Sequence, residues 1–351
     1  MISDVRLQNF RSYGDESFEF DPGVNIVVGP NASGKTNLLE AILVLARGSS
    51  YRVHDQELIA FGKPWARLDS HLSDDSERIV KLVREPKPSK SYDVDGKPLK
   101  RLTINYVLPV VLFEPNHLQL LSGAPDQRRN YLDDLLEQTV PGYQTVRQQY
   151  ARVLRQRNAL LKRGGTSLQT QLFVWNVRLS ELAGGIVRAR SELVEKLDSQ
   201  VAELYNQLAH SVTEVRLSYK TQFDAQQYES RLLHKLEVDQ ELDSLRGFTG
   251  SGPHRDDMLV TFDGRAASET ASRGETRTAV LALKIMELER LRTARDIAPL
   301  LLLDDVFSEL DGARRHALTN HLKNYQTFIT TTDADVVVQH FTETCHIIPL
   351  G

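Results

Sequence analysis

Cysteine is almost absent from this 351-residue chain: Cys345 stands alone, which excludes an internal disulfide framework and suits a reducing compartment, so the expected location is the cytoplasm. No stretch approaches the roughly 20 uninterrupted apolar residues of a membrane span. The opening MISDVRLQNF also lacks the charged and apolar regions of a signal peptide, and no membrane partner is expected. Internal repeats and low-complexity tracts are missing too. An overall basic excess is lacking as well, since 43 Lys and Arg face 47 Asp and Glu, and this argues against a chain coated uniformly with nucleic acid. One local absence points the other way. Residues 138–180 contain no Asp or Glu, yet hold Arg147, Arg152, Arg155, Arg157, Lys162, Arg163 and Arg178, so an anionic partner should meet this segment.

What is present is a hydrophobic content of 40%, enough for a substantial core in one large or two modest domains. Apolar residues alternate through Ile2, Val5 and Leu7 and again at Phe18 and Phe20, and residues 24–28 form a run of the kind that makes a buried strand. After Thr36, Leu38, Leu39, Ile42, Leu43 and Leu45 recur at helical spacing. Further strand-like runs occupy 79–83 and 107–113, with a turn expected at Asp95 and Gly96. From about Arg128 the pattern becomes long helices: residues 146–161 and a stripe through Leu172, Trp175, Leu179, Leu182, Ile186, Leu193, Leu197, Val201, Leu204 and Leu208 predict a helical hairpin turning at Gly164 and Gly165. Gly184 and Gly185 would weaken a free rod, so a bundle packed within the protein is an equal alternative. Strand signals return at 258–262, with a turn at Asp263 and Gly264, and at 299–303. The expected architecture is an α/β domain split between residues 1–120 and 250–351, with a helical arm at 121–249 inserted.

Between the run at 24–28 and its following helix lies GPNASGKT: Gly29, Pro30, Asn31, Ala32, Ser33, Gly34, Lys35 and Thr36. Glycines permit a tight turn, backbone N–H groups and the helix N-terminus surround phosphates, the lysine reaches the β and γ phosphates, and the threonine hydroxyl binds Mg²⁺. This is a phosphate loop for ATP. Leu300 to Asp305, LLLLDD, places an apolar strand before two carboxylates and resembles a Walker B strand, Asp304 serving Mg²⁺ and Asp305 standing where a general base orients water. ASRGETR, at 271–277, resembles an ABC-type signature loop, although a serine N-cap before any helix looks the same.

Taken together, LQNFRSY at 7–13, GPNASGKTNLLEAI at 29–42, GAPDQRRNYLD at 123–133, TGSGPHRDD at 249–257, the signature-like loop and LLLLDDVFSELD at 300–311 resemble the RecF family of SMC-like ABC ATPases, in that family's order and over the whole chain. The resemblance implies an ABC/SMC-type P-loop ATPase head with an inserted α-helical arm, an ATP-gated homodimer that binds DNA, and a role in loading RecA at gaps alongside RecO and RecR, in replication recovery and the SOS response. By the same resemblance Ser272 and Gly274 close over ATP held by the partner subunit, Ser308 to Asp311 form a D-loop touching the opposite site, Asn31 lies near the γ-phosphate, and Arg128 and Arg129 match a basic pair that contacts DNA or forms an ordinary helix face. Departures matter also. Asp305 replaces the Glu of many ABC ATPases, residues 330–333 read TTTD where a switch histidine stands, and Glu114, Pro115, Asn116 and His117 replace a common SPED, so slow, DNA-stimulated hydrolysis is expected and no Q-loop residue is assigned.

A helix over 146–163 would carry Val146, Tyr150, Val153, Leu154, Leu160 and Leu161 on one face and Arg147, Arg152, Arg155, Lys162 and Arg163 on the other. Arg157 alone would point with the apolar set. A cationic face free of carboxylates meets phosphates without local repulsion, which makes these residues the expected DNA contacts. Two competing classes are a transporter cassette, disfavoured by the long helical insertion, and an SMC-like nuclease, disfavoured by the lack of a His-rich ligand cluster.

Overall fold

The computed structural model describes residues 1–164, 168–339, 341 and 345–351. Its strands are β1 (Ile2–Phe10), β2 (Tyr13–Glu19), β3 (Val24–Val28), β4 (Trp65–Leu72), β5 (Glu77–Val83), β6 (Ser89–Val94), β7 (Lys97–Leu99), β8 (Val110–Phe113), β9 (Val215–Lys220), β10 (Asp257–Phe262), β11 (Arg265–Ala266), β12 (Leu300–Asp304), β13 (Thr327–Thr331) and β14 (His346–Pro349). Its helices are α1 (Lys35–Arg47), α2 (Pro125–Thr139), α3 (Tyr143–Arg163), α4 (Leu168–Ala209), α5 (Tyr228–Val238), α6 (Gln240–Arg246), α7 (Ala267–Thr270), α8 (Arg273–Arg295), α9 (Val306–Glu309), α10 (Gly312–Leu322) and α11 (Ala334–Val338). They fall into two units, Met1–Leu118 with Lys284–Gly351, and Gln119–Leu283.

In the first unit a parallel sheet runs β14-β3-β13-β12-β8, and an antiparallel sheet runs β2-β1-β4-β5-β6-β7. Helix α1 touches strands of both. Its sequence explains this: every residue from Leu38 to Ala46 is buried, and all but Glu40 are apolar, the signature of a helix covered on all sides. Glu40 is admitted because Arg11 meets it with two hydrogen bonds. The order strand, loop, helix at 24–47 follows the expected one. The run expected as a strand over 107–113 pairs only from Val110, because Pro109 has no N–H to give to a ladder.

The second unit holds the hairpin of α3 and α4 and a small antiparallel sheet, β11-β10-β9. Residues 121–249, expected to be helical, thus include a strand: Val215 and Leu217 are buried and alternate with exposed Arg216 and Ser218. Since β9 pairs with β10 along six residues, the segment after 250 stays with this unit, and the second boundary falls at Leu283 and Lys284, where the sequence reading placed it near 250. Helix α4 packs against α3, α5 and β9, so the hairpin is part of a bundle and no free rod. Gly184 shows why small residues sit in it: a Cβ there would lie 2.4 Å from the Glu229 side chain of α5. Gly164 ends α3 with positive φ, and Gly165, the other half of the expected turn, lies outside the described residues. Both predicted hairpin turns form, with Asp95 and Gly96, and Asp263 and Gly264, all at positive φ.

Candidate nucleotide site and basic helix

The chain leaves β3 and turns through residues 29–34 before α1 begins. Glycine is required at 29, where a Cβ would stand 2.5 Å from the Leu350 carbonyl oxygen and 2.6 Å from Ser33 Oγ. Gly34 adopts φ 102°, Ala32 also lies at positive φ, and the Tyr13 hydroxyl pins the turn by donating to the Gly34 carbonyl at 3.0 Å. Three features fit an anion. Among the described residues no side chain caps the N-terminus of α1 and the buried Ser33 hydroxyl has no partner, and Lys35, only 5% exposed, directs its ammonium at loop carbonyls, donating to Gly29 O at 2.8 Å and Pro30 O at 2.9 Å. Asn31 is exposed at the tip of the loop.

Thr36 Oγ1 donates to Asp304 Oδ1 at 3.0 Å, which brings together the two expected metal ligands from positions 268 residues apart. The same oxygen accepts from Thr330 Oγ1 at 2.8 Å, and Tyr51 donates to Asp304 Oδ2 at 3.3 Å. A hydroxyl and a carboxylate in contact, at the loop and the adjoining strand end, make a hard-oxygen pair suited to Mg²⁺. Asp305 occupies the N-cap position of α9 at φ 53° and donates its N–H to Thr330 Oγ1 at 2.9 Å. Burial, then the neighbouring Asp304, raises its carboxyl above the ordinary range against the opposing pull of Lys35, which makes it a stronger base. Glu114, half-buried at the end of β8, is likewise raised, first by burial.

Asp311 caps α10 by accepting from the Arg314 N–H and also pairs with the Arg314 side chain, while Ser308 donates to the Asp305 carbonyl at 2.7 Å. In the TTTD segment, Thr331 Oγ1 donates to the Asp333 carbonyl and accepts its N–H, closing a turn. Thr330, the first residue of TTTD, thus serves Asp304 with its hydroxyl, and Tyr51, in the loop after α1, is a site residue that no sequence pattern marks.

The second unit contains the remaining expected residues. Ser272 is the N-cap of α8 in a reciprocal capping box, accepting from Glu275 N–H at 3.2 Å while its own N–H donates to the Glu275 carboxylate at 2.7 Å, and Gly274 lies in that helix's first turn. Arg128, expected at DNA, is buried: its guanidinium grips both Asp257 oxygens at 2.7 and 2.9 Å and donates to the Leu120 and Gly123 carbonyls. Arg129 donates to the Asp256 carbonyl at 2.7 Å. Arg147 is held by Asp133 at 3.0 Å and Glu137 at 2.7 Å, because α2 lays carboxylates against this end of α3. These partners take Arg128 and Arg147 out of an open phosphate-binding face. Arg152, Arg155, Lys162 and Arg163 remain exposed, and among the described residues no carboxylate pairs with them. Arg157 is fully buried, bonded to Asp243, Asn176 and Thr249 at 2.7 Å each. GPHRDD is structural at most of its positions: Pro253 O accepts from Arg190, His254 meets Tyr150, Asp256 accepts from Tyr219, Asp257 holds Arg128, and exposed Arg255 lies over the Phe248 ring.

A phosphate loop and an acidic strand end on one parallel sheet, covered by an antiparallel sheet and interrupted by a long insertion, define an ABC/SMC-type P-loop ATPase head. The family model for the RecF/RecN/SMC N terminal domain matches residues 1–348. The chain is 35% identical over 342 residues to the DNA replication and repair protein RecF of Heliobacterium modesticaldum, covering 94% of this chain and 92% of that one. It is also 35% identical over 354 residues to RecF of Moorella thermoacetica, covering 100% and 95%. It belongs to the RecF family. A structure of the recombination mediator protein RecF with ATP in the RecFOR pathway superposes with TM-score 0.84 at 29% identity, covering 99% of this chain and 95% of that one. An Smc head bound to the C-winged helix domain of ScpA shares the fold at TM-score 0.56 and 16% identity, covering 99% and 93%. No described helix is long and apolar enough to cross a membrane.

Proposed function

We propose that this chain is an ATP-dependent DNA-binding protein of recombinational repair that dimerises on ATP and, with RecO and RecR, promotes RecA loading at gapped or single-stranded DNA, supporting replication recovery and SOS induction in the cytoplasm. The observation carrying this reading is the contact of Thr36 with Asp304 beneath the Gly29 loop, in a chain whose relatives are named DNA replication and repair proteins.

Lys35 would exchange its two loop carbonyls for β and γ phosphate oxygens, and the N–H groups opening α1 would bind the same phosphates. Thr36 and Asp304 would hold Mg²⁺, which when bound offsets charge on the phosphates. Asp305, with its raised proton affinity, would accept a proton from the attacking water, and exposed Asn31 would help orient that water. Ser272 and Gly274, at a capped helix N-terminus, would present donors to ATP on a second copy, with Asp311 near the joint. With Asp in place of Glu and no imidazole in TTTD, DNA-stimulated turnover would be on the order of one per minute or slower, against roughly 1 to 10³ per second for common enzymes. DNA would meet exposed Arg152, Arg155, Lys162 and Arg163.

Asp305→Asn tests the chemical assignment. It should bind ATP as the parent does and lower turnover by about 10² or more, leaving a stalled dimer. Unchanged single-turnover hydrolysis would remove Asp305 from the reaction.

A further inference from the structure

The motif LQNFRSY and the loop that follows α1 are tied together around the site by a chain of part-buried hydrogen bonds. Arg11 donates to Glu40 Oε2 at 2.7 Å and Oε1 at 3.1 Å, fixing a carboxylate that is 0% exposed inside α1. Ser50 donates its hydroxyl to the same Glu40, and Ser50 Oγ in turn accepts the N–H groups of Arg52 at 2.9 Å and Val53 at 3.2 Å. Just before it, the Tyr92 hydroxyl holds the Gly48 carbonyl at 2.9 Å, and Gly48 turns the chain at φ 81°. The backbone on both sides of Tyr51 is therefore set by side chains anchored in the core, and the Tyr51 ring packs against that core. Its hydroxyl is left aimed at Asp304 Oδ2, 3.3 Å away.

The other oxygen of Asp304 already accepts from Thr36 and Thr330. A carboxylate on a single methylene rotates about its last bond, and donors on one oxygen alone leave the plane of the group poorly fixed. We propose that Tyr51 is a positioning residue of the metal site: its hydroxyl, presented by the chain Arg11, Glu40, Ser50, fixes the second oxygen of Asp304 so that the first stays turned toward Thr36. The proposal rests on the reading of Thr36 and Asp304 as the Mg²⁺ pair. When Thr36 is engaged by a ligand, Tyr51 and Thr330 are the two hydroxyls left to orient the carboxylate. Groups that orient a metal ligand commonly change metal affinity by one to two orders of magnitude when removed.

The test titrates Mg²⁺ into full-length chain and mant-ATP, following nucleotide fluorescence, with a parallel titration of mant-ATP in EDTA and thermal midpoints in EDTA. Tyr51→Phe, which keeps the ring, should raise the half-saturating Mg²⁺ concentration by on the order of tenfold while leaving metal-free nucleotide affinity unchanged. Ser50→Ala, which frees the loop without touching Asp304, should move it the same way by less. Parental Mg²⁺ curves for both variants, or a change in thermal midpoint with no change in Mg²⁺ dependence, overturn the positioning role. Asp304→Asn separates the two levels: it should abolish the Mg²⁺ dependence altogether, and if it does so while Tyr51→Phe is silent, only the positioning role falls. A parental Mg²⁺ curve for Asp304→Asn overturns the metal pair itself, and the positioning role with it.

Discussion

His254 donates from Nε2 to the Thr249 carbonyl at 3.1 Å, which fixes the tautomer, and accepts at Nδ1 from the Tyr150 hydroxyl at 2.7 Å. Burial lowers its pKa from 6.5 to about 4, and burial pushes His117 down from 6.5 to about 2. Unfolding in mildly acidic solution therefore takes up protons that the folded chain refuses, so stability is complete above about pH 6.5 and falls as pH drops toward 4. Thermal melts from pH 8 to pH 4.5 should show that loss, and His254→Gln should make it shallower without removing it, because His117 contributes with the same sign. An unchanged pH profile in the variant would mean that His254 takes up its proton as readily in the fold as in the unfolded chain. At this scale the sequence was most legible where chemistry imposes spacing. Lys35, Thr36 and Asp304 stand together as their motifs require, whereas no pattern marks Arg157 as the partner of Asp243, since that pair is made by packing 86 residues apart in sequence.

Helix α3 shows how much one element's pattern reveals. Its period separated buried Tyr150, Val153 and Leu161 from exposed Arg152, Arg155 and Lys162, and put Arg157 with the buried set. Charge was less legible than burial. The window without carboxylates predicts an uncompensated cationic face, yet Asp133 and Glu137, lying just before it, fold back onto Arg147. β9 was missed because its alternation spans only six residues beside long helices. Reversing three of the four remaining cations is the matching experiment: Arg152→Glu/Arg155→Glu/Lys162→Glu should weaken duplex binding in ATP and reduce the slope of log affinity against log salt by roughly 3, at about 0.9 per lost phosphate contact. Equal affinity and equal slope would place DNA elsewhere.

For the whole molecule, interruption of the first unit by a long segment was readable because strand signals flank helical ones, and the parallel sheet takes β8 from before the insertion and β12 from after it. The far boundary was not readable: residues 257–266 carry the same strand pattern whichever sheet they join, and only the pairing of β10 with β9 decides the matter. The proposed contact of Ser272 and Gly274 with ATP on another copy makes oligomeric state the property to measure. Sedimentation velocity in Mg²⁺ with ATP or ADP, with and without duplex DNA, addresses that assignment directly. The parent should sediment as a dimer in ATP and move onto the duplex, as a monomer in ADP, and Lys35→Ala should remain monomeric and off DNA in both. A parent chain that binds ATP yet stays monomeric with duplex present would contradict the composite site.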